Sequence, residues 1–175
     1  MSVANAALIL RRRLLGIVDR LGFLAPLLIR VTLGLVFLRS GWGKLVNLDD
    51  TSEFFSSLGI PLPRANAIVA ASVECFGGAA FLLGLGTRLV ALPLAFVMAI
   101  AIGTAQWGDV DGVHAFLGLE EWSYLVMFLV VAIIGPGPVS IDHLIARRLE
   151  AKAADDRTAA PPVLTAVKQP AEVGR

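Results

Sequence analysis

Arg30 and Glu74 each stand inside a long apolar run, and both runs are long enough to cross a membrane. A charge held in hydrocarbon is costly, so such a residue marks either a functional site or a structural ion pair. A guanidinium and a carboxylate can neutralise each other, hold a polar ligand or carry a proton. Arg30 shares a helix face with Gly34, Phe37 and Gly41, and Glu74 shares one with Ala70 and Gly78. Small residues let membrane helices approach closely, so Gly34, Gly41, Gly77 and Gly78 are expected to line helix contacts. Arg30 stands about nine residues into its run and Glu74 about ten, which puts both roughly 13–15 Å deep in a ~30 Å slab. The spacing therefore predicts an Arg30–Glu74 ion pair between adjacent antiparallel helices. A purely structural pair and a ligand-binding pair are compatible, since a cavity can be built around either.

Arg39, Trp42 and Lys44 form a second group at the end of the first run. Two cations and an indole at headgroup level could hold an anionic lipid, a quinone headgroup or an acidic partner. The plainer reading is snorkelling at a helix end, with Asp109, Asp111, Glu120 and Glu121 as neutralising charges. Arg88 and Asp142 form a third group, expected as a structural ion pair across two loops. Cys75 is the only cysteine, so an internal disulfide or dithiol mechanism is excluded. It points about 100° from Glu74 on a helix, and a buried thiol in apolar surroundings is inert. His114 and His143 lie near helix ends, which does not suit paired haem ligation. No phosphate loop, dinucleotide fingerprint, catalytic triad or metal-ligand cluster is present in the sequence, and no metal site is expected.

The elements that must position these residues are membrane helices. Of 175 residues, 57 % are hydrophobic and only 17 % charged, with a net charge of +1; mean hydropathy is +0.77. A soluble domain carries about 25 % charged residues, and the near-zero net charge gives no reason to expect nucleic acid. Four spans are predicted: 21–42, 65–85, 89–107 and 122–134, the last short enough that it either begins near Ala115 or lies in thinned bilayer. A short surface or re-entrant helix is expected around Thr51–Leu58. Residues 1–20, with Arg11, Arg12, Arg13 and Arg20, read as an amphipathic interfacial helix and not a secretory signal. Residues 146–175 read as a largely disordered tail. The expected architecture is an all-α membrane protein: an N-terminal amphipathic helix, then an antiparallel four-transmembrane-helix bundle over 21–145. Arg11, Arg12, Arg13, Arg20, Arg88, Arg147 and Arg148 fall on one side and only Arg39, Lys44 and Arg64 on the other. Both termini are therefore expected in the cytoplasm of a bacterial inner membrane. Trp42, Trp107, Trp122 and Tyr124 would then share the outer interface, where aromatics favour the headgroup level.

Three segments carry a family resemblance: R30VTLGLVFLRSGWGKL45, E74CFGGAAFLLGLGTRLVA91 and G135PGPVSID142. Together they resemble the DoxX family of small bacterial four-helix membrane proteins. Arg30, Gly34, Lys44, Leu45, Glu74, Gly77, Gly78, Thr87, Arg88, Ser140 and Asp142 match its pattern. The similarity covers roughly 25–142. Val139 stands where members often carry an aromatic. The resemblance implies a link to respiratory, sulfur or oxidative-stress redox chemistry. Related DoxD-type proteins are subunits of a thiosulfate:quinone oxidoreductase, and a mycobacterial member is associated with superoxide dismutase and a thiol-handling partner.

Three functions follow as expectations. The first is an accessory subunit or scaffold whose redox-protein partner carries the cofactors. The second is a subunit that handles quinone directly, with Arg39, Trp42 and Lys44 on the headgroup and Arg30–Glu74 relaying a proton. That reading requires a cavity joining the outer interface to the buried pair. The third is a small-solute or lipid carrier, which internal repeats and broken helices would favour. No covalently bound cofactor is expected, quinone is the candidate ligand, and the glycine faces would also suit a homo-oligomer.

Overall fold

The computed structural model describes residues 11–13, 15, 16 and 19–159, and within them the regular structure is entirely helical. Helix α1 is Leu24–Val46, α2 Leu48–Ser57, α3 Pro63–Leu83 and α4 Thr87–Ala101. A π-helical turn, Ile102–Gln106, and a 3-10 turn, Trp107–Asp109, extend α4. Helix α5 is Val113–Leu117, α6 Glu120–Ile134 and α7 Ile141–Ala159. Three stretches are long and apolar enough to cross a membrane: Asp19–Val46, Pro63–Leu83 and Thr87–Gln106. Pro63 opens α3, where its missing N–H costs nothing. Gly84 and Gly86, both with positive φ, close α3 and open α4 within three residues.

Helices α1 and α3 pack through glycine. A Cβ at Gly41 would fall within 3.0 Å of the Ala71 and Cys75 backbone, one at Gly78 equally close to Phe37 and Leu38, and one at Gly34 to Leu82. Apolar surface gains nothing by leaving lipid, so this backbone-to-backbone contact holds the helices together. Gly77 differs: it faces the side chain of Leu94 in α4. The apolar core joins Leu33 and Phe37 of α1, Phe81 of α3, Ala91, Leu94, Ala95 and Met98 of α4, and Phe128 and Val131 of α6. The Phe128 ring meets Phe37 and Phe81 edge-on at centroid distances of 4.9 and 5.1 Å, a favoured aromatic geometry. Leu28, Phe76, Leu89 and Ile133 point outward and are exposed, as a lipid-facing surface requires.

Three expectations change. Helix α6 does not begin near Ala115: the chain turns at Gly118, leaving α5 separate and α6 with 15 residues, about 22 Å long. The expected surface helix is present but starts at Leu48. Residues 146–159, expected to be disordered, are helical, because Ala, Leu, Arg, Glu and Lys dominate and no Gly or Pro interrupts them. Residues 160–175 lie outside the described residues, as does most of 1–20, although Arg11, Arg12, Arg13 and Arg20 are helical and exposed. The chain divides into two compact units, Met1–Leu144 and Ile145–Arg175. All sites below belong to the first.

Candidate functional site

Lys44 continues the stripe of Gly34, Phe37 and Gly41 at three- to four-residue spacing, so it faces α3. The Gly41 contact draws the two backbones together there, opposite Glu74. Lys44 Nζ donates to Glu74 Oε1 at 2.5 Å and to Oε2 at 2.6 Å. Ser40 Oγ donates to Oε2 at 2.8 Å. The side chain of Glu74 is 2 % exposed, whereas that of Lys44 is 34 % exposed. A buried carboxylate is thus reached from one side by an ammonium that opens outward.

The second centre surrounds Arg30, which is 2 % exposed. Its Nε donates to Phe81 O at 3.0 Å and its Nη2 to Leu82 O at 2.8 Å. Its Nη1 donates to Pro136 O at 2.9 Å and to Val139 O at 2.7 Å. The first two carbonyls lie in the last turn of α3, where helix carbonyls run short of intrahelical donors; Phe81 O also accepts from Gly84 N at 3.2 Å. One planar guanidinium therefore ties α1 to the end of α3 and to the loop before α7. Gly84 must lack a side chain, because a Cβ would meet the Arg30 guanidinium and Ser140.

Asp142 completes this centre. Its Oδ1 accepts from Gly86 N at 2.7 Å and its Oδ2 from Thr87 N at 2.9 Å. The carboxylate caps α4 from another element, where helix N–H groups need an acceptor. Burial pushes its pKa up, but the Thr87 and Gly86 N–H groups and the charge of Arg30 outweigh that and hold it below the ordinary value. Asp142 N donates to Gly84 O at 2.9 Å. Ser140 Oγ accepts from His143 N at 3.1 Å, capping α7, and donates to Gly137 O at 2.8 Å.

The expected Arg30–Glu74 pair is not formed. Gly34 lies against Leu82 and Gly41 against Cys75, so contacts move seven residues up α1 for seven down α3. In that register Glu74 is level with Trp42, and Arg30 is level with Gly86. About twelve residues, roughly 18 Å of helix, separate them. The expected Arg39–Trp42–Lys44 cluster also divides. Lys44 lies about 200° around the helix from Trp42 and turns inward to Glu74. Arg39 and Trp42 stay exposed and line a shallow depression of about 520 Å³ with Leu35 and Leu38. Arg88 does not pair with Asp142; its guanidinium lies beside Gly135, where a Cβ would stand 3.0 Å from Nη2. Sequence reasoning missed Ser40 as a ligand of Glu74, although it stands four residues before Lys44, as a shared face requires. It also missed the four carbonyls, which carry no side-chain signature. Cys75 is buried against the Gly41 contact. Among the described residues no group of three or more His, Cys, Asp or Glu could hold a metal ion.

Two buried polar centres inside apolar helices define an integral membrane protein. The chain belongs to the DoxX family, whose profile matches residues 25–107. It is 32 % identical over 122 residues to the inner membrane protein YphA of Escherichia coli (strain K12), covering 67 % of this chain and 87 % of that one. To the inner membrane protein YqjF of the same organism it is 28 % identical over 122 residues, 70 % of this chain and 92 % of the relative. It is 31 % identical over 124 residues, 70 % of this chain and 87 % of the relative, to CatD of Bacillus subtilis (strain 168), which is named only provisionally as an oxidoreductase. No solved structure matches.

Proposed function

We propose that this chain is a multi-pass inner-membrane protein that serves as an accessory subunit or scaffold of a redox complex. In this reading α1, α3, α4 and α6 form an antiparallel four-helix bundle with both termini in the cytoplasm. The side distribution of Lys and Arg supports that orientation. One observation carries the scaffold role. The guanidinium of Arg30 is engaged by four backbone carbonyls, and Glu74 is engaged by Lys44 and Ser40. Both buried charges thus hold helices together, and their separation argues against a proton relay between them. The redox context rests on the name of CatD and on the family resemblance. The test is purification from native membranes in gentle detergent, with mass spectrometry of retained proteins and small molecules. Recovery of a redox protein in fixed proportion is the expected result. Stoichiometric quinone, lost in Lys44→Ala with no protein partner, would replace this reading with direct quinone handling. The half-open Lys44–Glu74 pair is the observation that keeps that second reading in view.

A further inference from the structure

The geometry points to a binding site for one anionic phospholipid on the outward face of α1, with its phosphate on Arg39 beside Trp42 and its acyl chain along Leu35, Val31 and Leu28. Arg39 stands about seven residues before the end of a membrane-spanning helix, roughly 10 Å inward from Val46. Its guanidinium has no hydrogen bond or ion pair among the described residues. A cation at that depth requires an anion or a route to the headgroups. Four carboxylates have partners of their own: Glu74 with Lys44, Glu121 with Gln106, Glu120 with Tyr124 and Asp49 with Arg64.

The surface around Arg39 has the form of a lipid. Leu35, Leu38, Arg39 and Trp42 repeat at helical spacing and line a depression of about 520 Å³. Trp42 is 63 % exposed, with Leu35 and Leu28 likewise exposed along the same side. An exposed indole at headgroup level packs its ring on lipid and leaves its N–H for a polar acceptor. Leu28 lies about eleven residues from Arg39, roughly 16 Å, which matches one leaflet of hydrocarbon. The guanidinium fork suits two phosphate oxygens. Charge complementarity and the length of the apolar track together select an anionic lipid over a soluble anion, which would leave the track uncovered. This inference is independent of the scaffold role: it is read on the isolated chain, whereas partner recovery is read from membranes.

Native mass spectrometry of the full chain tests it, with phosphatidylglycerol, phosphatidylethanolamine and a long-chain quinone added in turn. Wild-type protein is expected to retain one phosphatidylglycerol in preference to phosphatidylethanolamine. Arg39→Gln should weaken that retention about tenfold or more, the loss of one charge-assisted hydrogen bond. Arg39→Lys should keep the preference for the anionic lipid at reduced retention, because the charge remains and the fork is lost, and Trp42→Ala should lower retention of both phospholipids. Unchanged retention in a folded Arg39→Gln protein overturns the site. Equal retention of the two phospholipids by wild-type protein overturns it as well, whether or not the variant folds. Quinone retained in place of lipid, and lost in Arg39→Gln, overturns the choice of occupant.

Discussion

Coupling between Lys44 and Glu74 is the sharpest consequence of the structure. The perturbation is a double-mutant cycle of Lys44→Met, Glu74→Leu and the combined variant, in which each single change removes the pair. Removing one partner from a fully buried ion pair costs about 3–5 kcal/mol, whereas an exposed pair is worth about 0–1 kcal/mol. Glu74 is 2 % exposed and Lys44 34 %, so the coupling should lie between those limits, at about 2–3 kcal/mol, or roughly 30–150-fold in the folded-to-unfolded ratio. Glu74→Gln alone should be milder than Glu74→Leu, because the amide oxygen still accepts from Lys44 and Ser40. The assay is reversible unfolding in mixed micelles, followed by circular dichroism, for all members of the cycle. A parallel cycle with Arg30→Gln and Glu74→Leu serves as the comparison. Those sites are far enough apart to be additive within about 0.5 kcal/mol. A Lys44–Glu74 coupling below about 0.5 kcal/mol, or an Arg30–Glu74 coupling as large as that predicted for Lys44, would refute the register derived from the glycine contacts.

Two further outcomes follow from the same geometry. Gly41→Ala should destabilise by about 1–3 kcal/mol, because its Cβ meets backbone and the helices must separate, while Gly43→Ala, which has open space, should be neutral or stabilising; thermal melts in one detergent compare them. Asp142 has a folded-state pKa below its unfolded value, so its stabilisation is complete above the ordinary carboxylate range and is lost as pH falls through the folded pKa. Asp142→Asn should therefore cost about 1–2 kcal/mol near neutrality and flatten the stability profile below about pH 4; an unchanged acid limb would show that the cap contributes nothing.

Much of the architecture was legible in the sequence. Apolar runs of bilayer length located the three membrane-length helical stretches to within a few residues, because no other structure satisfies backbone groups in lipid without partners. The small-residue stripes of Gly34–Gly41 and of Gly78 marked the contact faces correctly. Lys44 could have been added to that stripe, since it continues the same spacing. The helix over 146–159 is legible in its Ala, Leu, Arg and Glu content, which outweighs its polarity as a local signal.

Residue types and spacing alone determined that this chain is a helical membrane protein, that Arg30 and Glu74 are buried and must be satisfied, and that glycine brings α1 and α3 together. Tertiary structure decided which partners satisfy them. Periodicity reports the face on which a residue lies but not the register between two helices, and that register depends on where Gly34 and Gly41 meet Leu82 and Cys75. It carried Arg30 to the end of α3, where carbonyls that every residue possesses, and no side chain advertises, became its ligands. It left Glu74 to Lys44, which lies on the same face of α1 as Arg30 but fourteen residues, roughly 21 Å, further along the helix.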